Sequence, residues 1–310
     1  MNDPQPSAGS FICRSNNDTS MSYYLQLLLN GVIAGSVYAL FAVGLTLVYG
    51  VFRFINFAHA ELISWGAYLA LMFSSPPVSL PLYLAVIPAV ALTAAIGWSQ
   101  DWFIYRPLRR GSPITLLIAS IGLSYMLRNG LRLIWGSDLM TFSLPPARAF
   151  EFSGYYVTGI QLLMLASALL FLMILYLLLT KSLMGKSLRA TADNLELASI
   201  MGVSMPNVSA VVWTLASVFA AAGGILLALD TNLEPMMGVA NLIKAFAAVL
   251  LGGAGNVWGA LLGGLFIGIA ENLGVAFFSP GYKDFVAFAV IFLLLLFRPR
   301  GIFGLLTGVR

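Results

Sequence analysis

Between Val157 and Thr180 the chain is built almost wholly of Leu, Met, Ile, Phe and Ala, with no charged residue. About 20 apolar residues in a helix cross the roughly 30 Å of a bilayer's hydrocarbon, and no soluble fold can bury such a stretch on all sides without a much larger core. Comparable stretches recur at Tyr24–Gly50, Pro81–Ile104, Pro113–Ile134, Asn207–Leu229 and Val257–Phe278, with shorter ones at Glu61–Phe73, Asn241–Leu251 and Asp284–Phe297. Composition agrees: 60% of residues are hydrophobic, 9% are charged and the mean hydropathy is +0.92, whereas soluble domains carry about 25% charge. The expected fold is all-α, a polytopic transmembrane helix bundle of eight or nine membrane segments. The count turns on whether Asn241–Leu251 crosses or re-enters. Residues 21–310 read as one transmembrane domain. Residues 1–20, with Asp3, Pro4, Pro6, Asn16, Asn17 and Asp18, read as a disordered tail, too polar to offset ordering entropy. They lack the basic start and small-residue cleavage site of a signal peptide, and Met21, where the membrane pattern begins, is an alternative start. The single Cys13 excludes an internal disulfide. The net charge of +4 is too small, and lies too much beside the spans, to argue for nucleic acid.

Two features bear on packing and orientation. Gly31 and Gly35, Gly259 and Gly263, and Gly264 and Gly268 are spaced as GxxxG pairs, which let helix backbones approach closely in a membrane. Arg106, Arg109, Arg110, Lys181, Lys186, Arg189, Arg298, Arg300 and Arg310 fall on one side of the expected spans, against mainly Arg148 and Lys283 on the other. The positive-inside rule then puts the C-terminus and the Lys181–Pro206 loop in the cytoplasm and the N-terminus outside.

Within the longest apolar region a short insert, Gly50–Ala60 and the residue after it, holds Arg53, Asn56, His59 (the only histidine) and Glu61. Polar and ionisable groups at membrane depth are costly and are functional candidates by default. A second interruption, Gly252-Gly253-Ala254-Gly255-Asn256, lies in the other half. Paired, glycine-interrupted apolar segments point to a transport pathway, so Asn56, His59, Glu61, Gly252 and Gly253 are assigned to a translocation pathway or helix break. The plainer alternative is a pair of ordinary interhelical loops. Asn and His both donate and accept whereas ionised Glu only accepts, so His59 or Asn56 is expected to donate to Glu61. Arg128, Arg132, Lys244 and Glu271 also lie in or beside spans; Lys244 either pairs with Glu271 or, the favoured reading, snorkels to an interface. No catalytic residue, metal site or cofactor is expected.

In the Lys181–Pro206 loop, Leu188, Ala192, Leu195 and Ser199 share one stripe of a short helix, with Arg189 and Asp193 placed to pair at i, i+4. Its segment Glu196-Leu197-Ala198-Ser199-Ile200-Met201-Gly202 resembles the EAA-xxx-G loop of ABC importer permeases. Glu196, Ala198 and Gly202 stand in register, Leu197 replaces an Ala, and the Leu-Pro pair that follows in the family is missing. With Asn30-Gly31, Ala39-Leu40, Gly44-Leu45, Asn56-Phe57-Ala58-His59, Glu61, Gly66-Ala67-Tyr68, Arg189-Ala190 and Leu251-Gly252-Gly253 with Gly259, the chain is similar to branched-chain amino acid ABC transporter permeases, the shorter of their two permease subunits. The usual His-Gly-Glu reads His59-Ala60-Glu61 here.

The resemblance implies a non-enzymatic permease subunit in a bacterial-type inner membrane, carrying branched-chain or other hydrophobic amino acids. It implies a second permease subunit, cytoplasmic ATP-binding subunits and a soluble substrate-binding protein as partners, besides the lipid bilayer. Arg189, Glu196, Ala198 and Gly202 would form the ATPase coupling loop. The chain has no phosphate loop of its own, since Gly185-Lys186-Ser187 has Thr180 where the first glycine of G-x-x-x-x-G-K-[ST] is needed. The alternatives are a urea or short-chain amide permease of the same frame, or a self-sufficient carrier or channel; for the carrier, the Asp/Glu/His chain of a proton relay is missing.

Overall fold

The computed structural model describes residues 16–109, 111–142, 149–152, 155–277, 279–297 and 301. Residues 1–15 of the expected tail, with Cys13, lie outside the described residues, as do Arg110, Arg148, Arg298, Arg300 and Arg310; helix α1 begins at Asn16.

The helices are α1 (Asn16–Phe52), α2 (His59–Ser74), α3 (Leu82–Gln100), which runs on through a π-helical turn (Asp101–Tyr105) into α4 (Arg106–Leu108), α5 (Pro113–Trp135), α6 (Gly159–Lys181), the short α7 (Leu183–Asp193) and α8 (Leu195–Ile200), α9 (Met205–Asp230), α10 (Met237–Gly252), α11 (Val257–Gly274) and α12 (Lys283–Phe297). Six stretches are long and apolar enough to cross a membrane: Ser22–Phe52, Leu82–Leu108, Pro113–Trp135, Gly159–Lys181, Met205–Asp230 and Val257–Gly274. With the shorter α2, α10 and α12 they make nine segments among the described residues, and the all-α polytopic bundle holds. Its one departure is a hairpin, β1 (Ala149–Phe152) against β2 (Tyr155–Thr158), between α5 and α6.

The helix starts follow from local chemistry. Ser112 accepts from the Thr115 N–H with Pro113 at the first turn, and Thr158 and Gln161 cap each other reciprocally, a capping box. Asn256 accepts from the N–H groups of Trp258 and Gly259 to start α11.

At the centre α1 lies along α11. A methyl group on Gly268 would overlap the Gly35 backbone, one on Gly264 would overlap Ala39, and one on Gly31 would meet the backbone of Ile269. The α10–α11 hairpin closes by the same device, Gly252 against Gly259 and Ala248 against Gly263. Dispersion contacts replace the missing hydrophobic drive between helices in lipid.

The bundle has two distinguishable ends. At one, Arg53 reaches the Ala192 carbonyl and Gly255 lies beside Gly50; Arg106, Arg109, Lys181, Lys186 and Arg189 cluster there, and Gly301 packs against Leu250 and Gly253. At the other, Met140 pairs with Leu233 and the Gln26 amide bonds both N–H and carbonyl of Tyr156.

Candidate functional site

Helix α1 stops at Phe52 because Arg53 turns into the left-handed region, φ 56°, its N–H still bonded to the Tyr49 carbonyl at 2.8 Å. The next residues run back into the bundle. The Phe57 N–H donates to Ser120 Oγ at 3.2 Å on α5. Helix α2 then starts on the break's own carbonyls: the N–H groups of His59, Ala60 and Glu61 bond to Asn56, Phe57 and Ala58 at 3.3, 3.2 and 3.1 Å. His59 Nε2 lies 3.3 Å from the Phe41 carbonyl. Phe41 precedes the end of α1 by eleven residues, so at 1.5 Å per residue α2 begins about 16 Å inside the bundle. The histidine is fully buried.

Asn56, His59 and Glu61 do not satisfy one another, contrary to the expectation from their clustering. Each finds a partner on a different helix. Asn56 Oδ1 accepts from Tyr105 Oη at 2.9 Å and from the Ala58 N–H at 3.1 Å. Glu61 Oε1 accepts from Ser124 Oγ at 2.8 Å and from Arg128 Nη2 and Nε at 2.6 and 3.1 Å. The reason is helical geometry: residues two apart do not face each other, so His59 turns to α1 and Glu61 to α5.

Around the break stands an aromatic group that the sequence did not announce. Tyr105 stacks on Trp213 at 4.6 Å and 15°, Phe54 lies 5.3 Å from Tyr105, and Phe52 lies 6.2 Å from Trp213. Arg109 sits 4.2 Å above the Phe52 ring and pairs with Asp101, which also accepts from Ser209 Oγ at 2.6 Å. The π-helical turn turns both Asp101 and Tyr105 inward, where they are buried; such turns recur at functional sites. Asp101 is the only acid in the third apolar stretch, a signal that was there to be read.

The second interruption is of another kind. Gly252 ends α10, Gly253 and Gly255 hold φ of 88° and 93°, and Asn256 caps α11, so the segment is a tight turn at the basic end. The position a side chain on Gly255 would take is 3.6 Å from Gly50 Cα and 3.8 Å from Arg53 Nη1. The structure thus brings the two interruptions together at their surface edge. They are not equivalent breaks: in the second half it is the start of α10 that meets α2, the Gly238 N–H donating to Ser64 Oγ at 3.1 Å.

The Lys181–Pro206 loop is two helices, since Asn194 is extended (φ −152°, ψ 105°) and caps α8 by accepting from the Leu197 N–H. The continuous stripe is therefore broken: Leu188 and Ala198 are buried, Leu195 and Ser199 exposed. Arg189 does not pair with Asp193 but donates to the Leu179 carbonyl. Glu196 is exposed. Gly202 ends α8 with φ 89°, while its N–H bonds Ser199 and that of Val203 bonds Ala198, a Schellman-type stop. Leu183, Ile200 and Met201 are 79, 80 and 77% exposed. Arg53 Nη2 donates to the Ala192 carbonyl of α7 at 2.7 Å, tying this loop to the break.

Lys244 does not snorkel: its Nζ lies 2.6 Å from Glu271 Oε1, 3.2 Å from Asp284 Oδ1 and 3.2 Å from Tyr38 Oη. The pairing wins because α11 brings the buried Glu271 carboxylate against this side chain, with Tyr38 of α1 beside it.

Residues 27–295 match the family model described as branched-chain amino acid transport system / permease component. The chain is 36% identical to the high-affinity branched-chain amino acid transport system permease protein BraD of Pseudomonas aeruginosa, over 91% of this chain and 96% of the relative. It is equally identical, with the same coverage, to the permease protein LivH of the corresponding Escherichia coli system. A probable branched-chain amino acid transport permease protein LivH of Methanocaldococcus jannaschii is 29% identical over 90% of this chain and 92% of that one.

Proposed function

The chain belongs to the branched-chain amino acid transport permease family, and from that premise we propose that it forms the membrane path of an ATP-driven importer for branched-chain or other hydrophobic amino acids. It is a multi-pass inner-membrane subunit and works beside a second permease. Separate ATPase subunits dock on α7–α8 at the basic end, which faces the cytoplasm with the C-terminus. A soluble binding protein delivers substrate at the opposite end.

The observation that carries this reading is the α7–α8 pair. It packs on the end of the bundle through Leu188 and Ala198, presents Leu183, Leu195, Leu197, Ile200 and Met201 to solvent, and is bonded through Arg53 to the helix break. Exposed apolar residues on a polar loop mark a docking surface. ATPase closure would pull α7, and through Arg53 the segment from Phe54 to His59; the two arrangements of that segment give the differential contacts that alternation of access requires.

Uptake of radiolabelled leucine by cells carrying the intact transport system tests this. Uptake is expected to cease when cellular ATP is depleted and to survive a protonophore while ATP is maintained. Immediate collapse with the proton gradient would favour a self-sufficient carrier, and uptake of urea in place of leucine the amide permease.

A further inference from the structure

We propose that Arg128 and Arg132 of α5 form the membrane-embedded site that receives the carboxylate of the transported amino acid. This rests on the amino acid reading above and names the residues that meet the substrate's anionic end.

The two guanidinium groups lie one helical turn apart on α5, and the only carboxylate paired with either among the described residues is Glu61. Glu61 is fully buried and engages Arg128 through Nε and Nη2, with Ser124 between them. The Nη1 side of Arg128 has no hydrogen bond among the described residues, and Arg132 Nε is buried with no acceptor. The cluster therefore holds one positive charge in excess and unused donors inside a span, where uncompensated charge is expensive. A guanidinium presents its N–H groups as a fork that matches a carboxylate. Lys244, by contrast, has Tyr38, Glu271 and Asp284 around its ammonium.

Arg128 is 12% exposed, at the margin between the buried face of α5 that meets Glu61 and its exposed face. Tyr125, 5.2 Å from its Cζ, is exposed, as is Asn129, and nothing lies within 4 Å of where a side chain on Gly122 would be. On α6 Leu162, Leu163, Leu169, Leu170 and Met173 are exposed, whereas the exposed face of α5 sets Tyr125 and Asn129 among Ile118, Ile121, Met126 and Leu133. A face that presents an amide and a guanidinium edge at membrane depth suits a water-filled path between two permeases, with Tyr125 as a platform for an aliphatic side chain.

The test uses the intact complex in proteoliposomes with radiolabelled L-leucine, and Asn129→Cys in a Cys13→Ser background with small thiol reagents. The anionic sulfonate reagent is expected to modify Asn129→Cys faster than its cationic ammonium analogue, and leucine to slow that reaction. Leu170→Cys, on α6, is expected to stay inert. Glu61→Gln/Arg128→Gln, a neutral pair that keeps the hydrogen bond, is expected to accumulate normally yet lose roughly tenfold to a hundredfold in leucine uptake, the scale of a lost charge-assisted hydrogen bond. Inertness of Asn129→Cys in every nucleotide state, or a faster cationic reagent, overturns the site. So does leucine uptake by the neutral pair within about twofold of the unsubstituted complex, well under the tenfold expected for that bond. The labelling arm leaves the ion pair unaltered and decides the matter even if the neutral pair fails to accumulate. Absence of leucine uptake by the unsubstituted complex would instead sink the amino acid reading itself, and the site with it.

Discussion

At Asn56 one side-chain carbonyl accepts from both Tyr105 Oη and the Ala58 N–H, so the start of α2 and the π-helical turn lean on a single amide. Tyr105→Phe removes one donor and keeps the stack on Trp213; it is expected to cost about 0.5–1.5 kcal/mol. Asn56→Leu strands the buried phenol and the N–H, each left-over group costing about 1–3 kcal/mol, and is expected to lower the thermal midpoint of the purified protein by more. Equal midpoints for the two variants would show that the amide does not hold the break. The sequence marks Asn56, His59 and Glu61 because polar residues stand out in apolar surroundings. It cannot name Tyr105, Phe41 or Arg128 as their partners, since each lies on another helix and only the tertiary fold decides which helix comes near.

Gly202 shows the same division at the scale of an element. Its register in the loop motif was legible, and its φ of 89° explains why glycine is needed at the end of α8. Because nothing lies within 4 Å of its missing side chain, Gly202→Ala is expected to cost only the left-handed strain, about 1–2 kcal/mol, and to leave uptake largely intact. Gly202→Trp is expected to abolish uptake while the protein still accumulates in the membrane, because the indole would project into the proposed docking surface. Arg53→Gln cuts the tie to Ala192 and is expected to leave ATP hydrolysis running while leucine uptake falls; parallel loss of both activities would make Arg53 merely structural. What the loop's sequence hid is the split at Asn194. A stripe counted at helical spacing runs through an extended residue without registering it, because Asn is as good a cap as it is a member of a helix surface.

In the whole molecule, the α1–α11 contact is the seam on which the rest is laid. Gly268→Leu would drive a side chain into the backbone of Gly31 and Gly35, and is expected to prevent accumulation; Gly281→Ala, with open space around it, is expected to be silent on an immunoblot of membranes. The glycine spacing was readable at once, because close approach of backbones has few other solutions. The depth of the break was not. A run of apolar residues gives the length of a segment, and the interior start of α2 follows from Arg53 reversing the chain and from Phe41 and α5 receiving what comes after.

That reversal has a consequence for how the protein is made. Glu61 is synthesised well before Ser124 and Arg128, and Tyr105 stacks on a tryptophan that emerges a hundred residues later still. Helix α2 has sixteen residues, short of the ~20 that let a segment partition into lipid alone, and it carries a carboxylate and an imidazole. On leaving the ribosome it has α1 to meet His59, but no counter-charge for Glu61 until Arg128 of α5 arrives, and α9 packs against it later still. The segment that the proposed cycle moves thus waits for helices translated long after it, although it is among the first to be translated.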